Sequence, residues 1–179
     1  MGKSVFILSG SPRKGGNSDT LCDQFSKGAI QAGHRVERVF LGDKTINYCT
    51  GCYICQANGG KCAHDDDMKQ LLESMIAADV IVLATPVYFY TMCAQMKTVI
   101  DRTVARYAEI AGKDFYFIVA PLVGSRAALK RTIEGFRGFL ECLPDATEKG
   151  IVYGTSAWNM GDILSSPAMA EAREMGASV

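Results

Sequence analysis

Two stretches of this chain carry residues whose types and spacing could do chemistry. The first is Ser9-Gly10-Ser11-Pro12-Arg13-Lys14-Gly15-Gly16-Asn17-Ser18. It follows the apolar run Ser4-Val5-Phe6-Ile7-Leu8 and precedes a helical pattern. A helix start leaves unpaired N–H groups at the positive end of the macrodipole. Ser9, Ser11 and Ser18 add hydroxyls, and Arg13 and Lys14 add positive charge. The glycines let the backbone close on a ligand without Cβ clashes. Such a loop suits a phosphate. It is neither the dinucleotide fingerprint G-x-G-x-x-G nor a Walker loop with Gly-Lys-Ser/Thr. An ordinary serine-capped turn competes with this, but three hydroxyls, two cations and three glycines in ten residues exceed what a turn needs.

The second stretch holds Cys49, Cys52, Cys55 and Cys62, four thiols in fourteen residues. The C-x2-C-x2-C run is shared with ferredoxin loops, where thiolates surround a cube of iron and sulfide. Gly51, Gly59 and Gly60 would let backbone amides turn toward the sulfurs. Zinc is an alternative, since four thiolates suit a tetrahedral site, although this triple spacing is less typical of it. Free thiols, or a disulfide formed in air, are the third option. The other cysteines, Cys22, Cys93 and Cys142, fall on predicted helix faces and read as small core residues. His34 and His64 have no triad-type partner nearby and read as surface residues.

The elements that must position these groups alternate along the chain. Strands are predicted over 4–9, 35–41, 79–84, 115–119 and 150–154. Helices are predicted over 18–32, from Asp65 to about Ala78, over 91–111, over 125–143 and over 163–176. Leu21, Phe25, Ala29 and Ile30 mark the buried face of the first helix, and Gly33 its stop. The acidic run Asp65-Asp66-Asp67 is expected to complement the dipole of the helix it opens. Asp79-Val-Ile-Val-Leu-Ala84 is a β-branched apolar run of the kind buried on both faces. Five strands alternating with helices imply a parallel sheet with helices on both faces. Ligands of such sheets sit beyond the strands' carboxyl ends, so segments 9–18, 85–91 and 120–126 should converge there. Thr85-Pro86-Val87-Tyr88-Phe89-Tyr90 then falls at the same end; its aromatics and free N–H groups suit a flat polar ring, with rim or interface aromatics as the competing reading. Trp158 and Asn159, after the last strand, fit either a pocket mouth or an interface.

Composition narrows the function further. Lys plus Arg and Asp plus Glu number 19 each, so no net field draws nucleic acid or a membrane surface. No apolar run approaches a membrane span. The Met1-Gly2-Lys3 start lacks a signal-peptide pattern, and Phe6 breaks the myristoylation motif, so a cytoplasmic protein is expected. One domain is expected over 1–179, with a cysteine-rich loop at about 42–65.

Taken in order, these motifs resemble a known family. Gly10-Ser11-Pro12-Arg13 with Asn17-Ser18, the Cys49–Cys55 run, Asp66-Asp67-Met68, Thr85-Pro86-Val87-Tyr88, Gln95-Met96-Lys97 and Asp101-Arg102 are similar to those of the NAD(P)H-dependent FMN reductases. The iron–sulfur flavoprotein branch is the most similar. The resemblance covers about residues 3 to 125. It implies a flavodoxin-like, five-stranded α/β fold and an FMN phosphate on Ser9, Ser11, Arg13, Asn17 and Ser18. It implies an isoalloxazine ring on Pro86, Val87, Tyr88 and Phe89, with Gly124 and Ser125 on a third flavin-side loop. It implies a [4Fe–4S] cluster on Cys49, Cys52, Cys55 and Cys62, although the six-residue final gap and the lack of a following proline depart from a ferredoxin. NAD(P)H is the implied co-substrate, with hydride passing to the flavin. A small-molecule acceptor or redox protein is the implied partner, and a homodimer or homotetramer the implied assembly. The competing classes are an electron carrier fed by ferredoxin or another protein, and a non-catalytic nucleotide-binding module. No side chain is expected to act as acid or base, because the chemistry belongs to the cofactor.

Overall fold

In the computed structural model, which describes residues 2–122 and 124–179, the apolar runs become the inner strands of one sheet. The strands are β1 (Ser4–Ser9), β2 (Arg35–Phe40), β3 (Val80–Tyr88), β4 (Thr91–Met92), β5 (Asp114–Ala120) and β6 (Thr147–Tyr153). Their order is β2-β1-β3-β5-β6, all parallel, with β4 pairing antiparallel to the end of β3. Leaving out β4, this is the 2-1-3-4-5 order of the flavodoxin-like fold. The sheet therefore has six strands rather than the expected five, the extra one being a two-residue hairpin arm.

The helices are α1 (Asn17–Gln31), α2 (Ile54–Ala57), α3 (Met68–Ala77), α4 (Ala94–Arg102), α5 (Lys130–Leu140) and α6 (Ala168–Ala177). Alternation along each strand sorts the core into two layers. Val5, Ile7, Val82 and Ile118 face α1 and α6 through Leu21, Phe25 and Ala172. Phe6, Leu8, Leu83 and Phe117 face α3, α4 and α5 through Met75, Met96 and Phe136. Burial on both faces is why β1, β3 and β5 read as unbroken apolar runs.

Several boundaries move. The predicted helix over 91–111 starts later, at Ala94, because Thr91–Met92 pairs with β3. It then ends at Arg102 and decays into single 3-10 turns at Thr103–Ala105 and Tyr107–Glu109. β3 runs on to Tyr88, past the predicted end at 84. Ile30 is exposed, not on the buried face of α1. Gly33 does stop α1: with φ +88 it lets the Gly33 and His34 amides cap the Ile30 and Ala29 carbonyls. No helix among the described residues is long and apolar enough to cross a membrane.

Candidate functional site

The 9–18 loop joins the end of β1 to α1 and is braced from beneath. The Ser9 hydroxyl donates to Asp19 (2.7 Å), the Gly15 amide donates to the same carboxylate (2.9 Å), and Arg38 on β2 pairs with it. Burial pushes the Asp19 carboxyl up, but hydrogen bonds from Arg38, Ser9 and Gly15 outweigh this and hold it below the usual carboxylate range. Neither Asp19 nor Arg38 was singled out from sequence; the available signal was an acid in the first turn of α1. The Ser11 hydroxyl donates to the Arg13 carbonyl (2.8 Å) and accepts from the Arg13 amide (3.1 Å), which curls the loop into a cup. At Gly16 a Cβ would lie 2.9 Å from both the Arg13 carbonyl and the Ser11 hydroxyl, so the cup admits no side chain there. Ser18 sits in the first turn of α1, and its buried hydroxyl has no partner.

Asn17 reaches across to the 157–163 segment. Its Nδ2 donates to the Asn159 carbonyl (2.9 Å), and its Oδ1 accepts from the Gly161 amide (3.2 Å). Arg13 donates to the Trp158 carbonyl (3.3 Å). Ser9 and Asn17 therefore spend their side chains on protein partners, while Ser18 does not.

The end of β3 stands beside this cup. The Gly10 amide donates to the Ala84 carbonyl (2.8 Å), and the Cys93 thiol donates to the Gly10 carbonyl (3.0 Å). The Cys93 amide in turn donates to the Thr85 hydroxyl (3.0 Å), so one buried network ties both loops together. Pro86 is buried, and Val87 is half-buried. Tyr88 to Thr91 form a two-residue hairpin turn with Phe89 (φ +49) and Tyr90 (φ +64) both left-handed. That turn normally takes Asn-Gly, so two aromatics hold it at a conformational cost. Val87, Tyr88, Phe89, Tyr90, Pro121, Leu122 and Trp158 line a cleft of about 330 Å³. Segments 85–91 and 120–126 thus meet at this cleft with Trp158, while the 9–18 loop does not line it and is tied to it through Cys93 and through Arg13. Gly124 and Ser125 are exposed and do not line it.

The second site is the 42–65 loop. No disulfide joins any of the seven cysteines among the described residues. Cys49, Cys52, Cys55 and Cys62 line one cavity of about 180 Å³, together with His64 and Arg102. Left-handed backbone at Gly51, Gly59 and Gly60, and at Tyr53, folds the loop around it. The Gly51 amide turns to the Cys49 sulfur (3.4 Å), as the glycine spacing led one to expect. The Ile54 amide turns to Cys52 and, with Thr50, holds that thiol below its ordinary pKa. Among the described residues, no three His, Cys, Asp or Glu side chains stand together in a ready metal-holding group. The residue types nonetheless suit a thiolate-bound centre, since four cysteines line the same cavity.

The loop is anchored at its root by a buried pair. Arg102 grips both oxygens of Asp66 (2.8 and 2.9 Å), and Asp66 accepts the Asn47 amide (2.9 Å). Asp67 accepts the Thr45 amide (2.7 Å). Asp66 also accepts the Met68 amide at the start of α3 (3.2 Å), so the acidic run both caps that helix, as expected, and clamps the cysteine loop. Two further expectations are corrected here: Cys142 is exposed, and the His64 Nε2 is buried without a partner. Cys22 and Cys93 are buried as expected.

Comparison with known proteins fits this geometry. The family profile described as NADPH-dependent FMN reductase matches residues 4–147. An iron-sulfur flavoprotein of Archaeoglobus fulgidus is 47% identical over 100 residues, covering 56% of this chain and 44% of that protein. An iron-sulfur flavoprotein of Methanocaldococcus jannaschii is 40% identical over 99 residues, covering 55% of this chain and 51% of that protein. The chain thus spans about half the length of the curated relatives it matches. Among solved structures, the NAD(P)H:quinone oxidoreductase of Methanothermobacter marburgensis superposes with TM-score 0.74 at 16% identity, covering 99% of this chain and 97% of that one. At that identity the likeness speaks for the fold alone.

Proposed function

Because the chain belongs to the NADPH-dependent FMN reductase family, we propose that it is an oxidoreductase that holds FMN non-covalently, takes electrons from NAD(P)H and passes them to a small acceptor or a redox protein. The observation that carries this is the unpartnered, buried Ser18 hydroxyl at the open end of α1, inside a cup that leaves no room for a Cβ at Gly16. A phosphate is the group that both features suit. Arg13 and Ser18 supply side-chain donors, and the Ser11 hydroxyl joins them on turning its proton from the Arg13 carbonyl to the phosphate. Ser9 and Asn17 act from behind, keeping the cup in shape through Asp19 and the 157–163 segment.

The ring of FMN belongs over Pro86, Val87, Tyr88 and Phe89, beside the cleft that Trp158 also lines; Gly124 and Ser125 stay flavin-side residues by family resemblance alone. When bound, FMN supplies hydride acceptance and one- or two-electron delivery. The protein supplies position: the Cys93 network fixes the phosphate cup against the ring hairpin, and the aromatics exclude water from one side. Exposed Phe89, Tyr90, Leu122 and Trp158 beside the cleft support a homo-oligomer that covers them.

Cys49, Cys52, Cys55 and Cys62 would hold an iron–sulfur cluster of the [4Fe–4S] type, which supplies a one-electron site. Their shared cavity favours a second reading, an electron carrier fed by ferredoxin or another protein. Protein purified without oxygen and titrated with NADPH separates the two. A flavin spectrum that bleaches with NADPH supports the reductase. A flavin that bleaches only with a reduced redox protein supports the carrier, and protein that takes up no FMN refutes both.

A further inference from the structure

Arg102 is a buried cation that the flavin site does not use. Its side chain and that of Asp66 are each only 2% exposed. Its two terminal nitrogens are satisfied by Asp66, and one of them also serves the Asn47 carbonyl. Its Nε–H is shielded from solvent and has no partner. The same guanidinium lines the four-cysteine cavity and sits beside Cys62. His64, on the same cavity, has a second buried and unpartnered nitrogen. A pair that served only to tie α4 to the loop would have no need to stand among thiols. Buried groups left without partners are costly, and polar atoms so placed call for an explanation.

We propose that Arg102, oriented by Asp66, is a positioning residue of the four-cysteine site, offsetting the negative charge of a thiolate-bound iron–sulfur centre and hydrogen-bonding its sulfur at Cys62. This rests on the cluster reading above. Charge and hydrogen bonds to sulfur are what set the stability and potential of such centres. A fixed cation favours the more negative, reduced form and so raises the potential. Asp66 neutralises the net charge of the pair, so what remains to act on Cys62 is the dipole of the Asp66–Arg102 pair and the hydrogen bond from the unpartnered Nε–H.

The test uses the full chain, reconstituted anaerobically with ferrous iron and sulfide. Unmodified protein, R102K, R102Q and D66N/R102Q are compared for iron per chain, iron retained against a chelator, and cluster reduction potential. R102Q should lose its iron at roughly tenfold lower chelator concentration or less, and the potential of the iron it keeps should fall. R102K, which keeps the charge but not the fork, should hold the potential closer to that of the unmodified protein. D66N/R102Q leaves no lone buried charge, so it keeps the experiment readable if R102Q does not fold, and it should show the same loss. If folded D66N/R102Q holds iron as tightly, at an unchanged potential, Arg102 is only a structural tie and this inference alone falls. If the unmodified protein takes up no iron, the cluster reading and this inference fall together, and the flavin reading stands.

Discussion

Ser9 and Ser18 carry the same hydroxyl and have different work to do. The Ser9 hydroxyl is bonded to the buried Asp19, whereas that of Ser18 is bonded to nothing. Ser9→Ala should therefore destabilise the FMN-free protein by about 1–3 kcal/mol, because Asp19 loses a buried donor. Ser18→Ala should leave that stability nearly unchanged and weaken FMN instead. Chemical denaturation and a fluorescence titration on both variants separate the two roles; equal effects on FMN-free stability would contradict the assignment. Replacing Ser11 and Arg13 together by Ala should weaken FMN by roughly 2–4 kcal/mol through lost charge-assisted bonds. Cysteines divide as sharply. Burial pushes the Cys22 thiol up to about 12, so it stays protonated at neutral pH. Alkylation followed by mass spectrometry should leave Cys22 unlabelled in folded protein and label it on unfolding.

At the scale of elements, the hairpin joining β3 to β4 stores strain where the ring is proposed to lie. Phe89 is left-handed and 99% exposed, so its side chain adds no packing to offset the backbone cost. Phe89→Gly should stabilise the FMN-free protein by about 1 kcal/mol, a rise of roughly 2–4 °C in melting temperature for a chain of this size. The same change should weaken FMN if Phe89 meets the ring. A variant that is less stable without FMN would show that the turn is not strained. The hairpin also explains the misplaced helix start: Thr91 and Met92 are claimed by β3 before α4 can begin.

For the molecule as a whole, the Asp66–Arg102 pair makes stability depend on pH. Burial raises the Asp66 carboxyl, but Arg102 and Asn47 overcome this and hold it well below the usual carboxylate range. A carboxyl depressed in the folded state stabilises above its unfolded pKa, and that contribution is lost as pH falls through the folded one. Its share of stability is thus present at neutral pH and declines below about pH 4. Asp66→Asn should cost about 3–5 kcal/mol at pH 7, since Arg102 is left buried and unpaired. The gap between the two proteins should narrow as pH falls below about 4. A gap that stays constant between pH 7 and 3 in urea unfolding would exclude this pair as the source.

Much of this protein was legible in its sequence because the signals are local. β1, β3 and β5 are runs of adjacent apolar residues, and burial on both sheet faces requires such runs wherever they fall. The cup over 9–18, proposed to hold a phosphate, is likewise one contiguous segment. The four-cysteine spacing is local too, and all four residues line one cavity. What only the tertiary structure decided are relations between distant residues. Asp19 meets Arg38, Asn17 meets Asn159, and Asp66 meets Arg102 across 36 positions. No periodicity marks a charge for a partner brought beside it by a parallel crossover. For that reason Asp66 read only as a helix-start charge and His64 as a surface residue, whereas packing makes Asp66 a clamp as well as a cap and shields a nitrogen of His64.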